Sequence, residues 1–231
     1  MKKKDLLERL RSYGFSKRII EAFAVVRRED FVPQSEKECA YIDEALPIGH
    51  GATISQPYTI GFMLALLDVK PGQKVLEVGS GSGYVLALLS ELVQEGEIYG
   101  IEIIHELAEQ SKKALNGRKN VKNHPLKQVA CHVVLEHARE PFSPKRAHKG
   151  SRHVKVVEGS GWAGLPEKAP FDRILVSAAA TKKPYHLIEQ LKAGGILIVP
   201  VGNTIVQIKK VNGKVEEKDF PGFVFVPLRE K

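Results

Sequence analysis

A glycine-rich loop is the segment of this sequence best suited to bind a ligand. Residues 77–83 read Glu-Val-Gly-Ser-Gly-Ser-Gly, directly after an apolar run and before a helical pattern. Glycines at such a point allow positive φ angles and a close approach of the backbone to a ligand. The spacing differs from the dinucleotide fingerprint, whose third glycine comes one residue later, and the Lys-Ser or Lys-Thr pair of a P-loop does not follow. A simple tight turn between strand and helix is the alternative.

An acidic residue follows where a ribose would be bound. Glu102 ends the next predicted strand, 19 residues after Gly83. In a doubly wound sheet, a carboxylate at this place can accept hydrogen bonds from both hydroxyls of a ribose. A solvated charge at the end of a strand is the alternative. A site that binds a nucleoside but has no phosphate-binding motif indicates S-adenosylmethionine as the ligand.

The elements that must position these residues alternate between strand and helix from residue 70 onward. Predicted strands lie at 74–79, 97–101, 153–157, 171–177 and 195–201, and predicted helices at 84–93, 106–115 and 184–191. This alternation predicts an α/β fold with a doubly wound, Rossmann-like parallel sheet. The Asn-Gly pair at 212–213 is a strong hairpin signal, and 223–226 is a further β-rich run. The sheet is therefore expected to end with antiparallel strands.

The chain is expected to form one domain over residues 1–231. Its N-terminal segment, 1–69, has apolar residues at helical spacing within 2–30 and again at 58–67. Residues 34–57 between them are interpreted as a loop that can include one short strand. Residues 122–152 are interpreted as a basic insertion, because connections in such a sheet usually take about 2–6 residues. Residues 119–153 hold eight Lys or Arg and two Glu, a net charge of +6 out of +8 for the chain.

The insertion also contains potential metal ligands, His124, Cys131, His132 and His137. Their spacing matches no zinc pattern, so no metal site is expected. A solvated basic excursion is the plainest interpretation, and a lid or a docking surface for acidic peptides is the alternative.

Longer runs of the sequence resemble the protein-L-isoaspartate (D-aspartate) O-methyltransferase family, whose members repair damaged proteins. The matching runs are 18–23 and 28–33 for its N-terminal helices, 45–49 and 53–57 for its active-site region, 75–84 for its cofactor loop, and 169–172, 187–195, 199–202 and 225–228 for its C-terminal half. The pentapeptide Thr-Ile-Ser-Gln-Pro at 53–57 is the specific part, since glycine loops occur in many methyltransferases.

The resemblance implies methyl transfer from S-adenosylmethionine to the free α-carboxylate of an L-isoaspartyl residue in a damaged protein or peptide. It implies that Ser55 is the catalytic residue, whose hydroxyl would orient the acceptor. The cofactor-binding residues that it implies are Thr53, Glu77, Gly79, Ser80, Gly81, Gly83, Glu102, Gly159 and Ser160. No general base is needed, because a carboxyl group with a pKa near 4 is already ionised at neutral pH. A helix cap is the alternative role for Ser55, which stands just before Pro57 and an apolar helix.

The sequence departs from the family at the loop after the strand 153–157. Family members usually carry Gly-Asp-Gly there, with the Asp near the adenine amino group, whereas residues 159–161 read Gly-Ser-Gly. A charge-assisted hydrogen bond is roughly twice as strong as a neutral one. Weaker cofactor binding is therefore expected at Ser160, unless Glu158 compensates.

Two other functions stay open on the sequence alone. One is a methyltransferase of the same fold that acts on RNA or a small molecule. The net positive charge of the basic segment favours this function. The other is a weakened relative that only binds. No run of about 20 apolar residues and no secretion signal is present, so we expect a cytoplasmic protein without a membrane span. A monomer is expected, and nucleic acid is not expected as a partner.

Overall fold

The computed structural model describes residues 1–119, 154–211 and 213–229. The predicted basic insertion, with its candidate metal ligands, lies outside these residues. Among the described residues, no helix is long and apolar enough to cross a membrane.

The N-terminal segment is helical, as predicted, and adds a small hairpin. Its elements are α1 (Lys3–Ser12), α2 (Lys17–Val25), β1 (Leu46–Gly49), β2 (Ala52–Ile54) and α3 (Pro57–Leu67), with 3₁₀ helices at Arg28–Phe31 and Gln34–Cys39. The helices form because their apolar residues recur every three or four positions and can be buried on one side. Leu6, Leu10 and Phe23 are all at most 2% exposed. The strands β1 and β2 pair antiparallel within residues 34–57, where the sequence predicts a loop that can include one short strand.

A seven-stranded sheet follows. Its strands are β3 (Lys74–Val78), β4 (Glu97–Glu102), β5 (Val154–Glu158), β6 (Phe171–Val176), β7 (Leu191–Val201), β8 (Thr204–Val211) and β9 (Lys214–Pro221). The accompanying helices are α4 (Tyr84–Val93), α5 (His105–Lys119) and α6 (Tyr185–Glu189). The spatial order is β5-β4-β3-β6-β7-β8-β9. Strands β3 to β7 pair parallel, and β8 and β9 pair antiparallel at the end. This arrangement confirms the predicted fold class.

The strand order reverses between β3 and β6. The chain proceeds outward from β3 through β4 to β5, and then returns to place β6 on the other side of β3. Ligands of open α/β sheets bind in the crevice beyond the carboxyl ends of the strands at such a switch point. The topology therefore places the binding crevice beyond Val78 and Val176.

Both faces of the sheet are covered, and alternate residues of each strand face opposite sides. Val75 of β3 and Leu175 of β6 belong to the apolar cluster that includes α1 to α4. Their neighbours Leu76 and Val176 belong to a second cluster, which includes α6. Since side chains two apart share a face, Glu77 lies on the same side as Val75, toward α3 and α4.

The prediction of a further β-rich run at 223–226 is wrong as a strand of the sheet. After β9 the chain turns at Gly222 and runs across the end of the sheet toward β6. At the turn, the N–H groups of Gly222 and Phe223 both donate to the Asn203 carbonyl at 3.0 Å. Further along, Ala179 is bonded through the Val226 carbonyl (2.8 Å) and the Leu228 N–H (2.7 Å). Val224 is 93% exposed. β-propensity describes how well a residue fits a half-buried sheet surface. Among the described residues, no strand pairs with 223–226 to provide that surface.

Candidate functional site

Two connected cavities lie beyond the carboxyl ends of β3 and β6, as the strand order predicts. The outer cleft has a volume of about 260 Å³, and the inner pocket about 40 Å³. Both are lined by Thr53, Gly79, Gly81 and Ser177. The inner pocket is also lined by Ser55, Glu77 and Ser80, and the outer cleft by Glu102. Seven of the ten predicted site residues therefore meet at one place.

The glycine loop has the backbone conformation that its sequence predicts. Gly79, Gly81 and Gly83 have φ angles of 77°, 52° and 84°, which disfavour any residue with a Cβ. Gly79 and Gly81 line both cavities, so their lack of a side chain leaves the backbone accessible there. Gly83 lines neither cavity. It precedes α4 and packs against Ser111 of α5, where a Cβ would come within 2.3 Å of the Ser111 hydroxyl oxygen.

Glu102 is buried at the end of β4, so the alternative of a solvated charge is wrong. Its side chain is held by two backbone amides. The Gly81 N–H donates to Oε2 at 2.7 Å, and the Ile104 N–H donates to Oε1 at 2.9 Å. The residue is only 5% exposed. A carboxylate oxygen has two lone pairs, so each oxygen can still accept a hydrogen bond from a ligand in the outer cleft.

Glu77 is a buried carboxyl group with one unused oxygen. The Ser177 hydroxyl donates to Oε1 at 2.7 Å, while Oε2 has no partner among the described residues. Burial raises the pKa of Glu77 to about 8, the hydrogen bond from Ser177 opposes this shift, and the negative charge of Glu102 adds to it. A cationic ligand in the inner pocket would favour the ionised form. The buried Ser80 hydroxyl is likewise without a partner among the described residues.

Ser55 lies between β2 and α3 and lines the inner pocket. The alternative that it caps α3 is wrong. The N-cap position of α3 is occupied by Gln56, and the Tyr58 N–H donates instead to Oδ1 of Asp43 at 2.9 Å. Asp43 comes from the loop before β1, so no local signal at the start of α3 could have identified it.

Gly159 and Ser160 follow β5 and lie outside the lining of both cavities. The Gly159 N–H donates to the Glu102 carbonyl at 2.9 Å, which joins this loop to the end of β4. Ser160 is exposed, and its hydroxyl accepts from the Trp162 N–H at 3.4 Å. The Glu158 carboxylate contacts His105 Nδ1 at 2.8 Å. Thus Glu158 is engaged at the surface rather than in the outer cleft.

The structure also brings together residues that sequence reasoning did not select. Ser177 follows β6 and bonds Glu77, a position that the end of a predicted parallel strand could have indicated. Residues 226–229 line the outer cleft after crossing the sheet end. Arg229 there donates to the His50 carbonyl in the β1–β2 turn at 2.8 Å. Arg28 donates to the Ser55 carbonyl at 3.0 Å.

The donor set fits the expected cofactor. The loop leaves backbone accessible, and Glu77 and Ser80 line the inner pocket with buried polar atoms that have no partner among the described residues. Glu102 lines the outer cleft and keeps unused carboxylate lone pairs. These groups suit a nucleoside with a cationic substituent, and they include no cluster of basic side chains for a phosphate. Among the described residues, no group of three or more His, Cys, Asp or Glu could hold a metal ion.

Comparison with known proteins points to one family. The family model "Protein-L-isoaspartate(D-aspartate) O-methyltransferase" matches residues 1–231. A protein-L-isoaspartate O-methyltransferase of Aeropyrum pernix is 43% identical, over 96% of this chain and 77% of the relative. One of Fervidobacterium nodosum is 41% identical, over 97% and 100%.

Solved structures agree at the level of the fold. A Plasmodium falciparum protein, provisionally described as a protein-L-isoaspartate O-methyltransferase in complex with S-adenosyl-L-homocysteine, superposes with a TM-score of 0.77 at 25% identity, over 99% of this chain and 98% of that one. A second structure of a protein with that name gives a TM-score of 0.78 at 24% identity and covers 98% of this chain. The present chain spans 65% of that second protein, so this likeness concerns the fold alone.

Proposed function

The chain belongs to the protein-L-isoaspartate(D-aspartate) O-methyltransferase family, and we propose that it transfers a methyl group from S-adenosylmethionine to the free carboxylate of L-isoaspartyl residues in damaged proteins. The observation that carries this proposal is the position of residues 53–57. Thr53 lines both cavities and Ser55 lines the inner pocket, directly beside the glycine loop. The segment that resembles the family's active site thus meets the segment that resembles its cofactor loop.

The chemistry demands little of the protein beyond positioning. S-adenosylmethionine, when bound, supplies a methyl group on a positively charged sulfur. The acceptor carboxylate is already ionised at neutral pH, because its pKa is near 4. The protein must therefore align the acceptor and exclude water. The methyl ester then collapses to a succinimide without the enzyme, and part of the succinimide reopens to normal aspartate.

The residues around the two cavities divide this work. We assign Glu102 to the ribose hydroxyls and the backbone at Gly79 and Gly81 to close contact with the cofactor. Glu77 is assigned, with Ser80, to the cofactor's polar end, since both have unused buried polar atoms. Ser55 donates its hydroxyl to the acceptor carboxylate. Gly83 contacts neither cavity and holds the loop close to Ser111 of α5.

A variant of Ser55 separates alignment from cofactor binding. A hydrogen bond to a charged group contributes about 1.5–3 kcal/mol, so Ser55→Ala should lower kcat by about 10- to 100-fold while the cofactor Kd stays constant. Ser90→Ala is the matched control, because Ser90 lies on α4 and lines neither cavity. Equal kcat in both variants would remove Ser55 from the mechanism.

Gly159 and Ser160 are assigned to the adenine side of the cofactor. Support comes from the bond of Gly159 to the Glu102 backbone, which places this loop beside the proposed ribose site. Ser160→Asp would restore the carboxylate that the family usually carries there, and it should tighten cofactor binding in calorimetry. An unchanged Kd would contradict the assignment of Ser160.

The proposal further includes one domain over residues 1–231, a monomeric state and a cytoplasmic location. The shared sheet supports a single domain, since helices from both halves of the chain pack on it. Light scattering coupled to gel filtration tests the monomer. A dimer mass would overturn it.

The decisive experiment is methyl transfer from labelled S-adenosylmethionine to a short peptide that contains L-isoaspartate, beside the same peptide with normal aspartate. Labelling of the isoaspartyl peptide alone supports the proposed reaction. If neither peptide is labelled while calorimetry shows cofactor binding, another acceptor is indicated. The second candidate, an RNA methyltransferase, is favoured only by the basic charge, and it would require RNA affinity that falls steeply with salt.

A further inference from the structure

Arg28 is an unusually placed charge. It begins the 3₁₀ helix after α2, it is 0% exposed, and it ranks first by volume among the fully buried side chains of the described residues. Charged residues are almost never fully buried unless they are paired. Among the residues that the structure describes, Arg28 makes no ion pair. Packing alone does not account for a guanidinium at this position.

The guanidinium is instead held by backbone carbonyls of the acceptor side. Nη1 donates to the Ser55 carbonyl at 3.0 Å, and Nη2 donates to the carbonyls of Glu44 at 3.2 Å and Ile54 at 3.5 Å. The planar fork of an arginine can join several acceptors in fixed directions. Arg28 therefore ties Glu44, in the loop before β1, to the end of β2 and to Ser55.

The same guanidinium touches the cofactor side. Its central carbon lies 5.3 Å from the centre of the Tyr84 ring, within the range of a cation–π contact. Tyr84 is the first residue of α4 and directly follows Gly83 of the glycine loop. Tyr84 and Ser55 both line the inner pocket. Arg28 thus lies behind the pocket, between the two segments whose relative position would set the reaction geometry.

We propose that Arg28 is a positioning residue, which fixes Ser55 relative to the glycine loop and acts on the reaction only through Ser55. Its effect on catalysis rests on the proposed function. Burial lowers the pKa of the Arg28 guanidinium, yet arginine remains charged in proteins. The cost of burying this charge is offset in part by the three carbonyls, the aromatic ring and the nearby carboxylate of Asp43, which also favours the charged form. The Nε–H of Arg28 has no partner among the described residues.

The chain offers a matched control in Arg173. This side chain is also buried, at 8% exposed, and it also donates to backbone carbonyls, namely those of Leu67 at 2.7 Å and Asp68 at 3.2 Å. Those acceptors lie at the C-terminal end of α3, whereas Ser55 lies before its N-terminal end. Arg173 lines neither cavity. If replacing a buried arginine lowers activity through a general loss of stability, variants of Arg28 and Arg173 should both lose activity. If it lowers activity through misplacement of Ser55, only the Arg28 variants should lose activity.

The test compares Arg28→Met, Arg28→Lys and Arg173→Met at a temperature where each is folded. Misplacement by about 1 Å can cost about 100-fold in rate, so Arg28→Met should lower kcat by about 10- to 100-fold with an unchanged cofactor Kd. Arg28→Lys keeps the charge but loses the fork, and should fall between wild type and Arg28→Met. Arg173→Met should keep the wild-type kcat. If Arg28→Met does not fold, the comparison of kcat in Arg28→Lys and Arg173→Met decides the role of Arg28.

Hydrogen exchange gives a readout that needs no turnover. Amides of residues 53–58 should exchange faster in the Arg28 variants than in wild type, and those near residues 66–69 faster in Arg173→Met. Parallel losses of kcat in the Arg28 and Arg173 variants, or unchanged exchange at 53–58, would overturn the inference. If wild type fails to methylate the isoaspartyl peptide, the proposed function fails, while the exchange comparison still decides the role of Arg28.

Discussion

The buried carboxyl of Glu77 makes the stability of the protein depend on pH in a defined direction. Burial raises the pKa of Glu77 to about 8 in the folded state, from an ordinary value of 4.5. Below pH 4.5 the group is protonated in both the folded and unfolded states. Between pH 4.5 and 8 the unfolded chain releases this proton while the folded protein keeps it. Glu77 therefore lowers the free energy of unfolding progressively as the pH rises through this range.

The magnitude follows from the size of the shift. Each pKa unit corresponds to 1.36 kcal/mol, so Glu77 should cost about 3 kcal/mol of stability at pH 7 relative to pH 4.5. Glu77→Gln has almost the same shape and does not titrate. Its advantage over wild type should consequently grow by about 1.4 kcal/mol per pH unit between pH 5 and 7.5.

Urea unfolding of both proteins at pH 5, 6, 7, 8 and 9, without cofactor, measures this difference directly. Comparing the two proteins cancels the contribution of titrating groups that do not interact with Glu77. Ser177→Ala serves as the second variant, because it removes the hydrogen bond that opposes the shift. The free energy of unfolding of Ser177→Ala should continue to fall to a higher pH than that of wild type. A constant difference between wild type and Glu77→Gln across this range would refute the reasoning.

Three further predictions follow from the site and its supports. At pH 7, binding of S-adenosylmethionine should release a proton from Glu77, seen by calorimetry in buffers of different ionisation enthalpy and lost in Glu77→Gln. Gly83→Ala should cost about 2–5 kcal/mol, from its positive φ and the clash with Ser111. Gly72 has a similar φ and nothing within 4 Å of an added Cβ, so Gly72→Ala should lower the free energy of unfolding by only about 1–2 kcal/mol. If denaturant unfolding shows equal losses of stability in the two variants, the clash with Ser111 is contradicted. Asp43→Ala should cost about 1 kcal/mol as the loss of a helix cap, and an unchanged melting temperature would exclude that role.

The elements of the fold were accessible to sequence reasoning because their signals are local. Apolar spacing predicted the helix Tyr84–Val93 at its observed bounds, strand-helix alternation predicted the parallel sheet, and the Asn-Gly pair at 212–213 predicted its antiparallel end. The glycine loop was recognisable because only glycine tolerates its φ angles. Glu102 could be placed beside this loop because the ends of adjacent parallel strands meet at one edge.

The sequence by itself determined the order of the elements, the loop conformation and the position of Glu102, all of which depend on near neighbours along the chain. Only the tertiary structure decided that Asp43, rather than Ser55, caps α3, that residues 223–226 cross the sheet end without joining it, and that Arg28 is buried behind Ser55. It also decided the pKa of Glu77. Each of these depends on groups brought together from distant parts of the chain, and on the exclusion of water by packing, which no pattern of neighbouring residues specifies.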